Sequence, residues 1–409
     1  MRLLILTQYF WPENFRINDL VDGLLERGHD VTVLTGLPNY PSGRLADGYD
    51  WQGPYSGKYG KAEIIRVPLI PRGKGRGINL ALNYLSFAFS ASVLGPLRCK
   101  GKFDAIFVFE PSPVTIGIPA RVMAWFKSAP VLFWVQDLWP ESLSATGAVK
   151  SPRLLHGVEK LVRWIYRGCA LVLAQSEAFI PAIEKAGVPR AKIRYFPNSA
   201  EDIYQAPAQA AWSGPDLPPG FRVMFAGNIG AAQSMETIVK AAELLKEYPD
   251  VHWIIVGDGR LASWLREEIA ARKLETQVHL MGRHPVETMP QWFAQADALL
   301  VTLRRDPVFS LTIPSKIQSY LACRKPIAGA LDGEGARIID TSGAGLACAA
   351  DDAQGLADTV LKLYKMSAGE RRDMGEMGYR YYELHFNRTQ LLNQLENWLT
   401  EVTMENTYA

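Results

Sequence analysis

The chain is short of cysteine, of net charge and of long uninterrupted apolar runs, and each shortage narrows its function. Only four cysteines occur in 409 residues. Cys99, Cys169, Cys323 and Cys348 are far apart, with no Cys-x-x-Cys pair and no Cys/His spacing of a zinc site. That pattern argues against a disulfide framework and predicts buried, reduced thiols in a cytoplasmic protein. No Asp-x-Asp pair is present to hold a divalent ion, so no metal and no cofactor is expected. The formal net charge is only +2, which makes nucleic acid an unexpected partner. The N-terminal MRLLILTQYFWPE has too little apolar length for a secretory signal, and no targeting peptide is expected. No G-x-G-x-x-G follows the first strand-like run, which disfavours a nicotinamide dehydrogenase.

The longest apolar segment, INLALNYLSFAFSASVLGPL (Ile78 to Leu97), approaches the ~20 residues of a bilayer span. Asn79, Asn83 and several serines interrupt it. Around it lie Lys61, Arg66, Arg72, Lys74, Arg76, Arg98, Lys100 and Lys102, against Glu63 alone. Two readings stay open: a core helix of an α/β domain, or a helix resting on an anionic membrane surface.

Short apolar runs alternate with helix-like segments almost throughout. RLLILT, DVTVLT, EIIRVPL, DAIFVF, APVLFWVQ and ALVLAQS are continuously apolar, as parallel strands covered on both faces must be. The rhythm breaks at YQAPAQAAWSGPDLPPGF, rich in Ala, Pro and Gly. It restarts with FRVMFAG, VHWIIVG, QVHLMG, DALLVTL and KPIAGA. The expected organisation is a Rossmann-like domain over 1–203, a linker over 204–220 and a second Rossmann-like domain over 221–385. A last helix over 386–409 is expected to pack back on the first domain through Leu391, Leu392, Leu395 and Leu399. The two domains are expected to face one another across a cleft at the carboxyl ends of their strands.

Three segments of the second half carry chemistry. RVMFAGNIGAAQSMETIVKAAELL reads as strand, glycine turn and then a helix from near Ala232. Such a turn aims backbone N–H groups and a helix dipole at an anion. Yet no Lys or Arg lies between Gly227 and Glu236. In VGDGR, Gly257 and Gly259 permit close backbone approach, and Arg260 either reaches a phosphate or ribose or simply ends a turn. In TIPSKIQSYLACRKPI, Pro314 suits a first helical turn, with Ser315 and Lys316 beside it. Lys316 is therefore expected to bring the charge that the Gly227 turn lacks.

Taken together, LTQYFWPENFRINDLVDGLLERGHDVTVLTGLPNYP, WVQDLWPESL, FAGNIGAAQSMETIV, IIVGDGR, PSKIQSYLACRKPIAGALDGEGARII and SGAGLACAADDAQGLADTV resemble the large retaining family four of nucleotide-sugar glycosyltransferases. More narrowly, the chain looks like bacterial O-antigen and capsule enzymes, including N-acetyl-L-fucosaminyl transferases. The resemblance implies the GT-B fold and a nucleotide-diphosphate-sugar, of UDP type, held by the second half. It implies an acceptor held by the first half, retention at the anomeric carbon and no metal. A polyprenyl-diphosphate-linked saccharide acceptor would place the protein peripherally on the inner face of the cell membrane. Phe87, Phe89, Arg72, Lys74 and Arg76 would then meet lipid.

Departures from that family are specific. Asn228 and Gln233 stand where Arg and Lys are common, Leu311 and Ser319 where paired glutamates are, and Gln136 where a histidine often is. The donor is accordingly assigned to Gly227, Asn228, Gly230, Gln233, Gly257, Arg260, Pro314, Ser315 and Lys316. Its base is expected near Met281 and Gly282. Glu334 either binds ribose or sugar hydroxyls or caps the helix after it. Asp137 either orients the sugar or the acceptor hydroxyl or serves as a capping acid or salt-bridge partner, and Arg16 is either a second cation or an ordinary helix-flanking residue. A non-catalytic sugar-binding or scaffold subunit and a nucleotide-sugar epimerase are the competing readings.

Overall fold

The structure, a computed structural model, describes residues 1–73, 77–145, 149, 151–200, 202–204, 212 and 214–408. Lys74 and Arg76, and residues 205–211 and 213 of the Ala/Pro-rich stretch over 204–220, lie outside them. The chain divides into two compact units. The first is Met1–Pro197 together with Thr389–Ala409, and the second is Asn198–Arg388.

Among the described residues, the first unit has strands β1 (Arg2–Leu6), β2 (Asp30–Gly36), β3 (Ser56–Tyr59), β4 (Ala62–Val67), β5 (Ala105–Glu110), β6 (Val131–Val135), β7 (Leu171–Ala174) and β8 (Ile193–Tyr195). They form one sheet in the order β3-β4-β2-β1-β5-β6-β7-β8. Only β3 runs antiparallel to its neighbour, as an edge hairpin with β4. The second unit has β9 (Phe221–Ala226), β10 (Val251–Val256), β11 (Val278–Gly282), β12 (Ala298–Thr302), β13 (Ile327–Ala330) and β14 (Gly345–Cys348). Their order is β11-β10-β9-β12-β13-β14, parallel at every pairing. Both sheets are thus doubly wound, with order reversing between β1 and β5 and between β9 and β12. A chain that reverses direction there opens a crevice beyond the strand ends, where ligands of such folds bind.

The continuously apolar strands are buried because helices cover both faces. All residues of β5, β6 and β10 are buried. Helix Arg16–Glu26 stops where Gly28 adopts φ 82, a left-handed cap only glycine takes at little cost. Helix Ala368–His385 starts on a capping box between Ser367 and Glu370. The final helix, Arg388–Tyr408, contributes Leu391, Leu392, Leu395 and Leu399 to the core of the first unit. Arg27 and His29 hold it there through Glu396.

Helix Gly77–Arg98 is long and apolar enough to cross a membrane by length and composition, but it lies along the first unit. Asn83, Phe87, Ala88, Ala91 and Gly95 form its buried face. At Gly95 an added Cβ would stand 2.9 Å from Leu34 and 3.0 Å from Met123, so the helix rests directly on the sheet layer. Phe87 is therefore a core residue, and the expectation that it meets lipid is corrected. On the opposite face, Ile78, Leu82, Leu85, Phe89, Val93 and Leu97 are exposed, Phe89 to 71%. The neighbouring helix Gly117–Lys127 exposes Trp125 and Phe126.

Candidate functional site

In the second unit, the turn after β9 carries the chain past the switch point. Gly227 takes φ 142 and Gly257, after β10, takes φ 143. These values lie where a side chain is strained, and the two turns also touch. A Cβ on Gly257 would stand 1.9 Å from the Gly227 carbonyl oxygen, and one on Gly259 would stand 2.3 Å from that of Ile229. Backbone bonds lock this stack: Gly227 N–H donates to Val256 (2.9 Å), Ile229 to Asp258 (2.9 Å) and Leu261 to Ile229 (3.1 Å). Gly257 N–H donates to the carbonyl of Gly282 at 2.7 Å, tying the β11 end to the same shelf.

The helix expected near Ala232 starts later. Ala231–Gln233 is a single tight turn, Ser234 stands in the left-handed region at φ 46, and the helix proper is Met235–Leu244. Ser234 holds that kink by bonding to Asp351 at 2.5 Å and to Thr237 at 2.8 Å. Thr302, at the end of β12, donates to the Gln233 carbonyl at 2.5 Å. The delay points the Gln233 side chain at the next element rather than along a helix face.

That element is helix Ser315–Ala322, with Pro314 at its N-cap and Lys316 in its first turn. The Lys316 ammonium donates to Gln233 Oε1 at 2.7 Å and lies 3.6 Å from the centre of the Phe225 ring. Its stem passes Gly227 so closely that a Cβ there would be 2.8 Å from Lys316 Cε. The structure thus brings together Gly227, Asn228, Gly230, Gln233, Gly257, Pro314, Ser315 and Lys316 at one switch point. Free N–H groups of a helix start, a glycine turn and one ammonium converge there, which is the composition of an oxyanion site.

Burial of the ammonium against Phe225 pulls its pKa down to about 7. A group lowered in this way loses its proton as pH rises through 7, well below the free lysine value. An arriving diphosphate would restore the charge. Nucleotide binding at pH 8 is therefore expected to take up close to one proton, and at pH 6 close to none. Calorimetry in buffers of different ionisation enthalpy measures this, and equal enthalpies in all buffers at pH 8 would contradict it.

Arg260 is exposed just before helix Ala262–Ala271, and Met281 is half-buried at the end of β11. Glu334 opens helix Glu334–Ser342 with its carboxylate paired to Arg337, at 2.9 Å on each oxygen. Arg16 is the first, half-buried residue of its helix in the first unit.

Asp137 follows β6 in the first unit. Its carboxylate accepts from the Ser142 hydroxyl and from Trp139 Nε1 at 3.2 Å. Burial raises its pKa, while those donors and Ser112 oppose the rise. Sequence reasoning missed its neighbours Glu110 and Ser112. The signal was an acid ending the otherwise apolar run of β5. Among the described residues no group of three or more His, Cys, Asp or Glu is placed to hold a metal ion.

Two doubly wound units with parallel sheets are the architecture of the GT-B fold. Residues 14–199 match the family described as Glycosyl transferase 4-like domain, and residues 220–366 match Glycosyl transferases group 1. The chain is a glycosyltransferase with one such domain in each half. It is 25% identical over 338 residues to a protein of Escherichia coli named as a colanic acid biosynthesis glycosyl transferase, covering 79% of this chain and 81% of the relative. It is 27% identical over 340 residues to a Pseudomonas aeruginosa protein named as a glycosyltransferase, covering 78% and 81%. Among solved structures, HepE of Anabaena in complex with UDP superposes with a TM-score of 0.71 at 15% identity, covering 98% of this chain and 100% of that one.

Proposed function

We propose that the protein moves a sugar, an N-acetylated deoxyhexosamine, from a UDP-sugar to a polyprenyl-diphosphate-linked saccharide during surface polysaccharide assembly, with retention. The observation that carries the donor assignment is the Lys316 ammonium seated between Gly227, Gln233 and Phe225 at a switch point. As the bond to the leaving phosphate breaks, N–H donors and this cation meet the developing charge without having to reorganise. In a same-face transfer the departing phosphate takes the acceptor's proton, so no strong protein base is needed. That fits a chain with Leu311 and Ser319 in place of glutamates. The UDP seen in HepE and the polysaccharide role named for the Escherichia coli relative support the choice of donor and pathway class. Turnover of UDP-sugars with short polyprenyl-diphosphate saccharides tests it. Tight nucleotide binding with no turnover of any sugar would favour the non-catalytic subunit instead.

The acceptor's lipid supports a peripheral location on the inner membrane face. The exposed stripe from Ile78 to Leu97, with Trp125 and Phe126 beside it, is the surface that would rest on lipid, and Lys100 and Lys102 are exposed at its end. Burying one such aromatic side chain contributes about 2 kcal/mol. Phe89→Glu is therefore expected to lower partition onto anionic vesicles about tenfold or more, and wild-type binding should weaken as salt screens the lysines. Equal partition onto neutral and anionic vesicles would count against this surface.

A further inference from the structure

The switch point of the first unit, between β1 and β5, is as built as that of the second, and around acids rather than a cation. Glu110 ends β5 with no exposed surface. No side chain donates to its carboxyl, which faces the backbone N–H groups of Gln136 and Asp137 without a well-formed hydrogen bond. Its strand pairs with β6 so that Glu110 lies opposite Val135, and its carbonyl accepts the Gln136 N–H at 3.1 Å. The next side chain along is that of Asp137. Two residues past Glu110, Ser112 takes φ 120, a strained value for a residue with a side chain, of the kind that collects at functional sites. Its hydroxyl is shared by Asp137 and by Tyr84 of helix Gly77–Arg98. The Tyr84 ring stands 6.4 Å from that of Trp139, which itself donates to Asp137.

We propose that Glu110 and Asp137 work as one pair holding a single proton, Glu110 as the neutral acid and Asp137 as the carboxylate that receives the acceptor's hydroxyl. The division follows from the surroundings. Asp137 has Ser142, Trp139, Ser112 and the Leu138 N–H to support a negative charge. Glu110 is fully enclosed with only the backbone N–H groups of Gln136 and Asp137 beside it, so a negative charge costs more there than on Asp137. The titratable groups facing the pair are Tyr84, itself near Arg72, and the buried Tyr166 of helix Pro152–Arg167, itself near Cys169 and Glu141. Burial, and then the Asp137 charge, hold the Glu110 carboxyl well above the usual range. Glu110 thus acts through Asp137 as a positioning residue. It fixes the pair at one charge and keeps the carboxylate turned to the acceptor.

This inference rests on the acceptor being held by the first unit, and two measurements separate it from that reading. The first is thermal stability against pH. A carboxyl raised in the folded state contributes stability that is complete below its unfolded value and declines as pH rises toward the folded one. Glu110→Gln, neutral at every pH, is therefore expected to gain melting temperature relative to wild type between pH 5 and pH 8, by several degrees. A pH-independent difference would overturn the proton assignment, whatever the protein transfers. The second is kinetic. Glu110→Ala and Asp137→Asn are each expected to raise the acceptor KM about tenfold or more while the donor KM stays put, and Glu110→Gln to recover most of the Glu110→Ala loss. A glutamine variant as impaired as Asp137→Asn, or a shift in donor KM instead, would overturn the pairing. A wild-type protein that transfers no sugar would remove the functional reading but leave the melting result to stand on its own.

Discussion

Lys316→Ala is expected to lower kcat by roughly a thousandfold while leaving the circular dichroism spectrum and melting temperature close to wild type. Loss of a single preorganised donor at a site of developing charge typically costs 10²–10³ in rate. Here the loss should sit at or beyond that upper limit. The turn over Gly227 to Glu236 has no second cation, and Asn228 and Gln233 bring dipoles rather than charge. The fold should survive because the ammonium is already unfavourably desolvated, so its removal relieves a cost as well as a contact. Lys316→Arg should not restore activity. The stem runs close to the Cα of Gly227, with the Phe225 ring 3.6 Å from the ammonium, and a planar guanidinium is too broad for that slot. Steady-state kinetics of sugar transfer measure both variants. A kcat within tenfold of wild type in Lys316→Ala would remove the lysine from the mechanism.

Gly257→Ala is the second large effect, and it acts on shape rather than charge. The methyl group would stand 1.9 Å from the Gly227 carbonyl oxygen, at a backbone angle of φ 143. Such an angle costs about 1–3 kcal/mol for a residue with a side chain. Overpacking adds roughly 1–3 kcal/mol more. The turns after β9 and β10 must separate, which pulls Gly227 out from under the lysine. Nucleotide affinity should fall at least a hundredfold and the melting temperature by about 10 °C. Gly28→Ala is the matched control. That position has φ 82 but nothing within 4 Å of an added Cβ, so only the backbone cost remains, about 1–2 kcal/mol. Equal melting temperatures for the two variants would mean that the close approach of the turns contributes nothing.

Much of this was legible in the order of residues. Continuous apolar runs announced parallel strands, glycines at strand ends announced turns, and Pro-Ser-Lys before an apolar helix announced a cation at a helix start. The reading faltered where a local pattern is compatible with two placements. The segment from Ile78 to Leu97 is apolar around most of its circumference. Its sequence could not say that Phe87 packs on the sheet while Phe89, two residues on, is exposed. The helix after Gly227 starts three residues later than expected. Ser234 is pinned by Asp351, a residue 117 positions away.

By itself, then, the amino-acid order determined the elements, their two-unit grouping and the residue types available to meet a diphosphate, because these depend on periodicity and on neighbours along the chain. Tertiary structure alone decided the titration of Lys316, the full enclosure of Glu110 and the strained angle of Ser112. Each is a matter of what surrounds a group in space. Desolvation and close packing are produced by residues from distant segments, and no local pattern encodes them.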